Sequence, residues 1–248
     1  MSTLTDSNKS GAAGLLAAFL AAAKGNAAIR KRTVYLTACL FAAAILVVLI
    51  ATGVRPHWSG PLEGSVVDQQ TGMPMEGVVV VAVWQPEIQL AAGRFTRDPI
   101  AVGEAVSDSK GHFQLKAWGP RLAEGAGGTA PRILLFKPGY EFQRRDHGAD
   151  LNRIGMRKFE GKLDDYAVHL AALSSALEGA AGFIDGRCDW QSMPMMLRAL
   201  DRQDTVFRVE RVDRLAPLTL AASLRIAERF YLEKGCGSVN AMLLKGEK

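Results

Sequence analysis

The chain is poor in the residues that most often carry chemistry. Among its 248 residues there are only four histidines and three cysteines. His57, His112, His147 and His169 form no HExxH pair and have no close cysteine neighbour, which removes the local ligand spacings of zinc enzymes. A G-x-S-x-G elbow and a phosphate-cradling glycine motif are also missing, and with them the usual signatures of serine hydrolases and nucleotide-binding enzymes. No catalytic residue, metal or cofactor is therefore expected. Aromatic residues make up 7% of the chain and are not interleaved with a basic stripe, so nucleic acid is not an expected partner in spite of a net charge of +5.

Acidic residues are nearly absent from the start of the chain. Only Asp6 precedes residue 33, against Lys9, Lys24, Arg30, Lys31 and Arg32, so this tail carries +4 of the +5. Residues 33–54 (TVYLTACLFAAAILVVLIATGV) then lack charge altogether. A helix of that length rises about 33 Å and matches the roughly 30 Å hydrocarbon core of a bilayer. Three basic residues before the run and only Arg55 directly after it place the N-terminus inside and the rest of the chain outside. The expected organisation is a single-pass protein of the cytoplasmic (inner) membrane with a periplasmic C-terminal part, its lipid partner held by this helix. A cleaved signal peptide is the rival reading, although the preceding region and the apolar run are both long for one. A lipoprotein box ending at Cys39 would need its apolar stretch before the cysteine, and here most of it follows. The alanine-rich run at residues 11–23 is too short to span.

Past Gly60 the texture changes to short β-branched runs separated by turn residues, the pattern of an all-β sandwich. Strands are expected at 62–68, 77–84, 103–107, 112–117, 132–137, 140–144 and 165–171. Asp68 through Gly72, with Pro74 behind, reads as a turn: Asp68 bonds its own downstream backbone and Gly72 supplies a positive φ. Asp108-Ser109-Lys110-Gly111 reads as a second tight turn, making 103–117 a hairpin.

Three blocks carry a resemblance. Gly64, Val66, Asp68, Thr71-Gly72, Pro74, Gly77 and Val79 form the first, Ser107 through Phe113 the second, and Lys137-Pro138-Gly139-Tyr140 the third. In that order they resemble the carboxypeptidase regulatory-like domain family, whose fold is a transthyretin-like β-sandwich. The resemblance implies a mainly β fold: a seven-stranded transthyretin-like Greek-key β-sandwich over residues 61–172, between an N-terminal transmembrane helix and a C-terminal α-helical appendage. It also implies a structural and interaction module, since nothing in the chain looks like a zinc-peptidase catalytic domain. Two segments depart from the family pattern, a long connection at 85–101 and a glycine-rich insertion at 119–132. The transthyretin-like fold also hosts a hydrolase of an oxidised purine, but this chain lacks that relative's Tyr-Arg-Gly-Ser ending.

Val78-Val79-Val80-Val81-Ala82-Val83-Trp84 is apolar on both faces, whereas a bare sandwich leaves one face of each sheet wet. A cover is expected from residues 173–248, where 194–203 and 217–234 read as amphipathic helices. Ser192 is placed to cap the first, and Gly235 to end the second. In the second helix Leu220, Leu224, Ala227 and Tyr231 share a stripe. Cys188 and Cys236 flank these helices, and an oxidising compartment such as a bacterial periplasm permits a bridge between them.

The expected domains are thus 1–32 (basic cytoplasmic tail), 33–54 (membrane helix), 61–172 (β-sandwich) and 173–248 (helical segment packed on it). One polar stretch is a candidate binding surface for anionic lipid head groups or cell-wall polymer: Arg144, Arg145, Arg153, Arg157 and Lys158, set against Asp146 and Asp150. The functional expectation is a non-catalytic envelope module that binds an unidentified protein or polymer. The alternative is a periplasmic hydrolase with a site assembled from the sandwich loops.

Overall fold

The structure, a computed structural model, describes residues 34–45, 47–48, 54–85, 87–90, 93–96, 98–124, 130–146, 148–183, 186–209 and 219–245. The basic tail, the run at 11–23 and His147 lie outside the described residues. Two units are present, divided at Val54 and Arg55. In the first, helix α1 covers residues 34–45, and residues 47–48 are also helical.

The second unit is built from strands β1 (Val54–Ser59), β2 (Leu62–Asp68), β3 (Val79–Trp84), β4 (Glu87–Leu90), β5 (Gly93–Thr96), β6 (Ala101–Val106), β7 (His112–Leu115), β8 (Trp118–Glu124), β9 (Arg132–Phe136), β10 (Gln143–Arg145) and β11 (Ile154–Met156). Helices α2 (Leu163–Ala181), α3 (Pro194–Val209), α4 (Leu220–Ile226), α5 (Glu228–Glu233) and α6 (Val239–Leu244) follow, with a 3₁₀ turn at Asp189–Ser192. A four-stranded sheet, β10-β9-β3-β6, faces a three-stranded sheet, β11-β2-β7, while β1 pairs with β8 and β4 with β5.

Alternation along β3 decides the layering. Val80, Ala82 and Trp84 join Val66, Phe113, Leu115, Leu135 and Met156 in a core between the two larger sheets. Val79, Val81 and Val83 point the other way, into a second core with Leu134, Phe136 and buried residues of α2, α3 and α4. The valine strand is apolar on both sides because it is the middle of three layers, with the helices as the third.

The expected fold class needs correction in several respects. Among the described residues the fold is mixed rather than mainly β, with helices α2 to α6 alongside the strands. Residues 165–171, the anticipated seventh strand, belong to helix α2. Asp165 accepts from the Lys162 backbone N–H at the start of that helix, and Leu170, Leu173 and Leu177 bury one stripe at helical spacing. The helices are consequently one wall of the core rather than an appendage to a seven-stranded Greek-key sandwich. The sheets are not wholly antiparallel either, since β11 runs parallel to β2. Residues 103–117 do not form a hairpin: β6 pairs with β3 and β7 with β2, so the turn at Asp108–Gly111 carries the chain from one sheet to the other.

The transmembrane helix is also corrected. Among the described residues no helix is long and apolar enough to cross a membrane. Residues 33, 46 and 49–53 of the expected span lie outside the described residues, and Val54, expected to close it, opens strand β1 instead, two residues before Pro56.

The first expected turn forms as the residue types suggest. The Gln70 and Thr71 N–H groups donate to Asp68 Oδ1, each at 2.9 Å, and Gly72 takes φ 69°. At α3, however, Ser192 ends the 3₁₀ turn, and the cap comes from another layer. Glu104 of β6 accepts from the Met195 and Met196 N–H groups at 2.8 and 2.6 Å, tying the central sheet to a helix N-terminus.

Burial raises the Glu104 carboxyl from 4.5 to about 7, against the pull of those two donors and of Arg198. A carboxyl raised on folding stabilises fully below its unfolded pKa, and this contribution is lost as pH rises through the folded value. Between pH 4.5 and 7 the loss comes to about 2 kcal/mol once solvent screening of the partly exposed side chain is allowed for. His169 acts oppositely. Its Nε2 accepts from the Phe142 N–H at 2.7 Å, and burial lowers its pKa, so its contribution is present above 6.5 and lost as pH falls through its folded value. Comparison with Glu104→Gln therefore isolates the carboxyl. The urea midpoint of the native protein is expected to fall relative to that of the variant between pH 5 and pH 8, and parallel profiles would refute the assignment.

Candidate ligand-binding site

Strands β2 and β7 pair antiparallel, with Glu63 opposite Gln114, Gly64 opposite Phe113 and Ser65 opposite His112. The two-residue period sends Val66, Phe113 and Leu115 into the core. Glu63, Ser65, His112 and Gln114 are left on the outer face. Glycine at 64 lets this sheet close tightly: a Cβ there would lie 2.5 Å from the Phe113 ring and 2.6 Å from the Leu151 carbonyl oxygen. Asp108, from the turn before β7, and Asn152, from the loop before β11, complete an open cleft of about 430 Å³ over these two strands.

Its groups are held in place. Gln114 Nε2 donates to Glu63 Oε1 at 2.6 Å, which fixes the carboxylate across the strand pair. Ser65 Oγ donates to the Asn152 carbonyl, and the Ser65 N–H donates to the Leu151 carbonyl at 2.9 Å, so the loop is bound to β2 at two points. Asp108 Oδ1 accepts the N–H groups of His112 at 2.8 Å and Lys110 at 2.9 Å. The His112 N–H is the main cause holding that exposed carboxyl below its ordinary value, so it is ionised at neutral pH.

Serine, histidine and aspartate share this cleft, yet they do not form a nucleophilic relay. The Ser65 hydroxyl is directed to a backbone carbonyl rather than to the imidazole, and the Asp108 oxygen serves backbone N–H groups rather than the His112 ring. The arrangement is suited to holding a polar ligand, with hydroxyl, amide, imidazole and carboxylate groups on one concave face.

None of the five basic residues singled out in the sequence lines the cleft. Arg144 and Arg145 lie on β10, the outer strand of the four-stranded sheet, where Arg144 Nε is 3.0 Å from Asp146. Arg132 approaches the same carboxylate at 3.4 Å. Arg153 packs by the first turn, its Nη2 3.3 Å from where a Cβ on Gly72 would stand. Arg157 pairs with Glu141 at 2.8 Å, and Lys158 bridges to Tyr140 in the adjacent segment.

Cys188 and Cys236 are joined as a disulfide with a Cα separation of 5.4 Å, and Cys39 is free and exposed. Of the remaining histidines, His57 is buried on β1, and His169 sits among the rings of Phe142, Phe159 and Tyr166. Among the described residues no group of three histidine, cysteine or acidic side chains is placed to hold a metal ion.

Glu63, Ser65, Gln114 and Asn152 have no motif to announce them. For Glu63, Ser65 and Gln114 the one sequence signal is the polar half of the alternation in Leu62-Glu63-Gly64-Ser65-Val66 and His112-Phe113-Gln114-Leu115, and Asn152, in a loop, has none. No family model matches the chain, and the searches of curated proteins and of solved structures returned no match either.

Proposed function

We propose that the chain is a non-catalytic binding domain of an oxidising, extracytoplasmic compartment, and that it holds a hydroxyl-rich cell-envelope polymer in the β2/β7 cleft. One observation carries this reading: side chains from two strands and two loops converge on a single concave face with complementary donors and acceptors, without an assembled nucleophile and base. A polymer is favoured over a protein partner because the cleft presents no exposed aromatic or aliphatic anchor of the kind that dominates protein interfaces. Its Phe113 is 3% exposed and belongs to the core beneath. The Cys188–Cys236 disulfide supports the compartment, since such bonds persist where thiols are not kept reduced.

Co-sedimentation with purified, protein-free envelope glycan tests the reading. The native protein is expected to pellet with the polymer. The double variant His112→Ala/Gln114→Ala, which alters two exposed side chains of β7, is expected to bind about tenfold more weakly at unchanged Tm. Equal pelleting of the two proteins would remove the cleft from the function.

A further inference from the structure

The lining of the cleft is polarised in charge as well as polar. Glu63 and Asp108 are its carboxylates, and no lysine or arginine lines it, although the chain as a whole carries +5. The two acids stand toward opposite ends. Glu63 faces Gln114 near one end of the strand pair, while Asp108 lies beside His112, one two-residue repeat further along β7, where Ser65 stands opposite. One strand repeat of two residues, from 63 to 65, already spans roughly 7 Å. The carboxylates are therefore separated along the floor by uncharged hydrogen-bonding groups rather than converging on one point. That spacing suits an extended ligand whose positive charges are spread along it with hydroxyl groups between them.

We infer that the cleft selects an amine-bearing saccharide chain over a neutral or anionic one, its ammonium groups meeting Glu63 and Asp108 and its hydroxyls meeting Ser65, His112, Gln114 and Asn152. This rests on the polymer-binding reading of the same cleft. An ammonium placed on a carboxylate makes a charge-assisted hydrogen bond, roughly twice as strong as a neutral one. An acetylated amine supplies only a neutral N–H. Anionic polymers meet two carboxylates and no lysine or arginine in the lining, so like-charge repulsion disfavours them. The Asp108 carboxyl is ionised well below neutral pH, and this keeps the selection in force in mildly acidic surroundings, where amines are fully charged.

Titration of the full chain with glucosamine hexamer and with N-acetylglucosamine hexamer, at about pH 5.5 and followed by backbone amide shifts, separates the possibilities. The glucosamine hexamer is expected to bind about tenfold more tightly, with shifts confined to β2, β7 and the loop at Asn152. Glu63→Gln keeps an oxygen beside Gln114 but removes the charge. It is expected to abolish most of that preference while leaving the acetylated hexamer unaffected. Equal affinities of the native protein for the two hexamers, both shifting β2 and β7, would overturn the amine selection and leave the polymer reading standing. Absence of shifts on these strands with either hexamer would overturn both, and an unchanged preference in Glu63→Gln would overturn the role given to that carboxylate.

Discussion

Replacing Cys188 and Cys236 together by serine is expected to destabilise the second unit by about 4 kcal/mol, the largest single loss anticipated for this chain. The bond joins residues 48 apart in sequence and encloses α3, α4 and α5. In the chain-entropy account, opening a loop of that size returns this much freedom to the unfolded state. It also frees the turn that carries Trp190, which is 1% exposed and packs edge-on against Tyr231 at 5.8 Å. Urea unfolding of the native protein with and without a strong reductant checks the expectation. The reduced native protein is expected to unfold with the double variant's midpoint, and a midpoint indifferent to reductant would show that the bond contributes nothing. The compartment depends on the same measurement, because a domain that loses most of a marginal stability on reduction is poorly suited to a reducing cytosol.

The second large effect is expected from Gly111→Ala, at about 3 kcal/mol or roughly a 10 °C fall in Tm. Gly111 has φ 76°, and a Cβ there would be driven into the Val66 carbonyl oxygen and lie 3.2 Å from the Met75 N atom. Those atoms have nowhere to go. The Val66 N–H donates to the Gly111 carbonyl at 2.8 Å, and the Val66 carbonyl accepts from the Met75 N–H at 3.0 Å, in the middle of β2. Gly77→Ala is the matched control, since Gly77 has a similar φ of 74° but open space around it. The control is expected to cost about 1 kcal/mol, the penalty of a left-handed backbone alone. Equal losses in the two variants, measured by thermal unfolding, would show that the contact with Val66 is not a constraint.

Val79 through Trp84 is legible from sequence as a strand, and as one needing a cover on each side, because an unbroken β-branched run without alternation fits a strand buried on both faces. Leu163 through Ala181 is not legible in the same way. The fragment Asp165 to Ala171 is short enough to pass for a strand, and only the longer run with Leu170, Leu173 and Leu177 on one stripe shows the helical period. Ile154–Met156 is a three-residue strand whose pairing with β2 is set entirely by tertiary contacts, so nothing local reveals it. The same holds for Glu104, which caps a helix that begins 90 residues later in the chain. The cleft is hidden from the sequence for a related reason. Its residues are ordinary outward-facing side chains on two strands and two loops, and they become a site only when the register sets 63 against 114 and 65 against 112 and the loops close on them. The basic run at 144–158 is legible as a charged stretch, but the sequence does not show that Asp146 and Glu141 pair with Arg144 and Arg157 in it.

The position of β3 limits how this protein can be dissected. A strand with no wet side is held in place by residues on both halves of the chain, so the region ending at 172 is not a separable piece. Truncation there would bare a slab of valine and leucine to water, and the expected product is an insoluble stump rather than a smaller working protein.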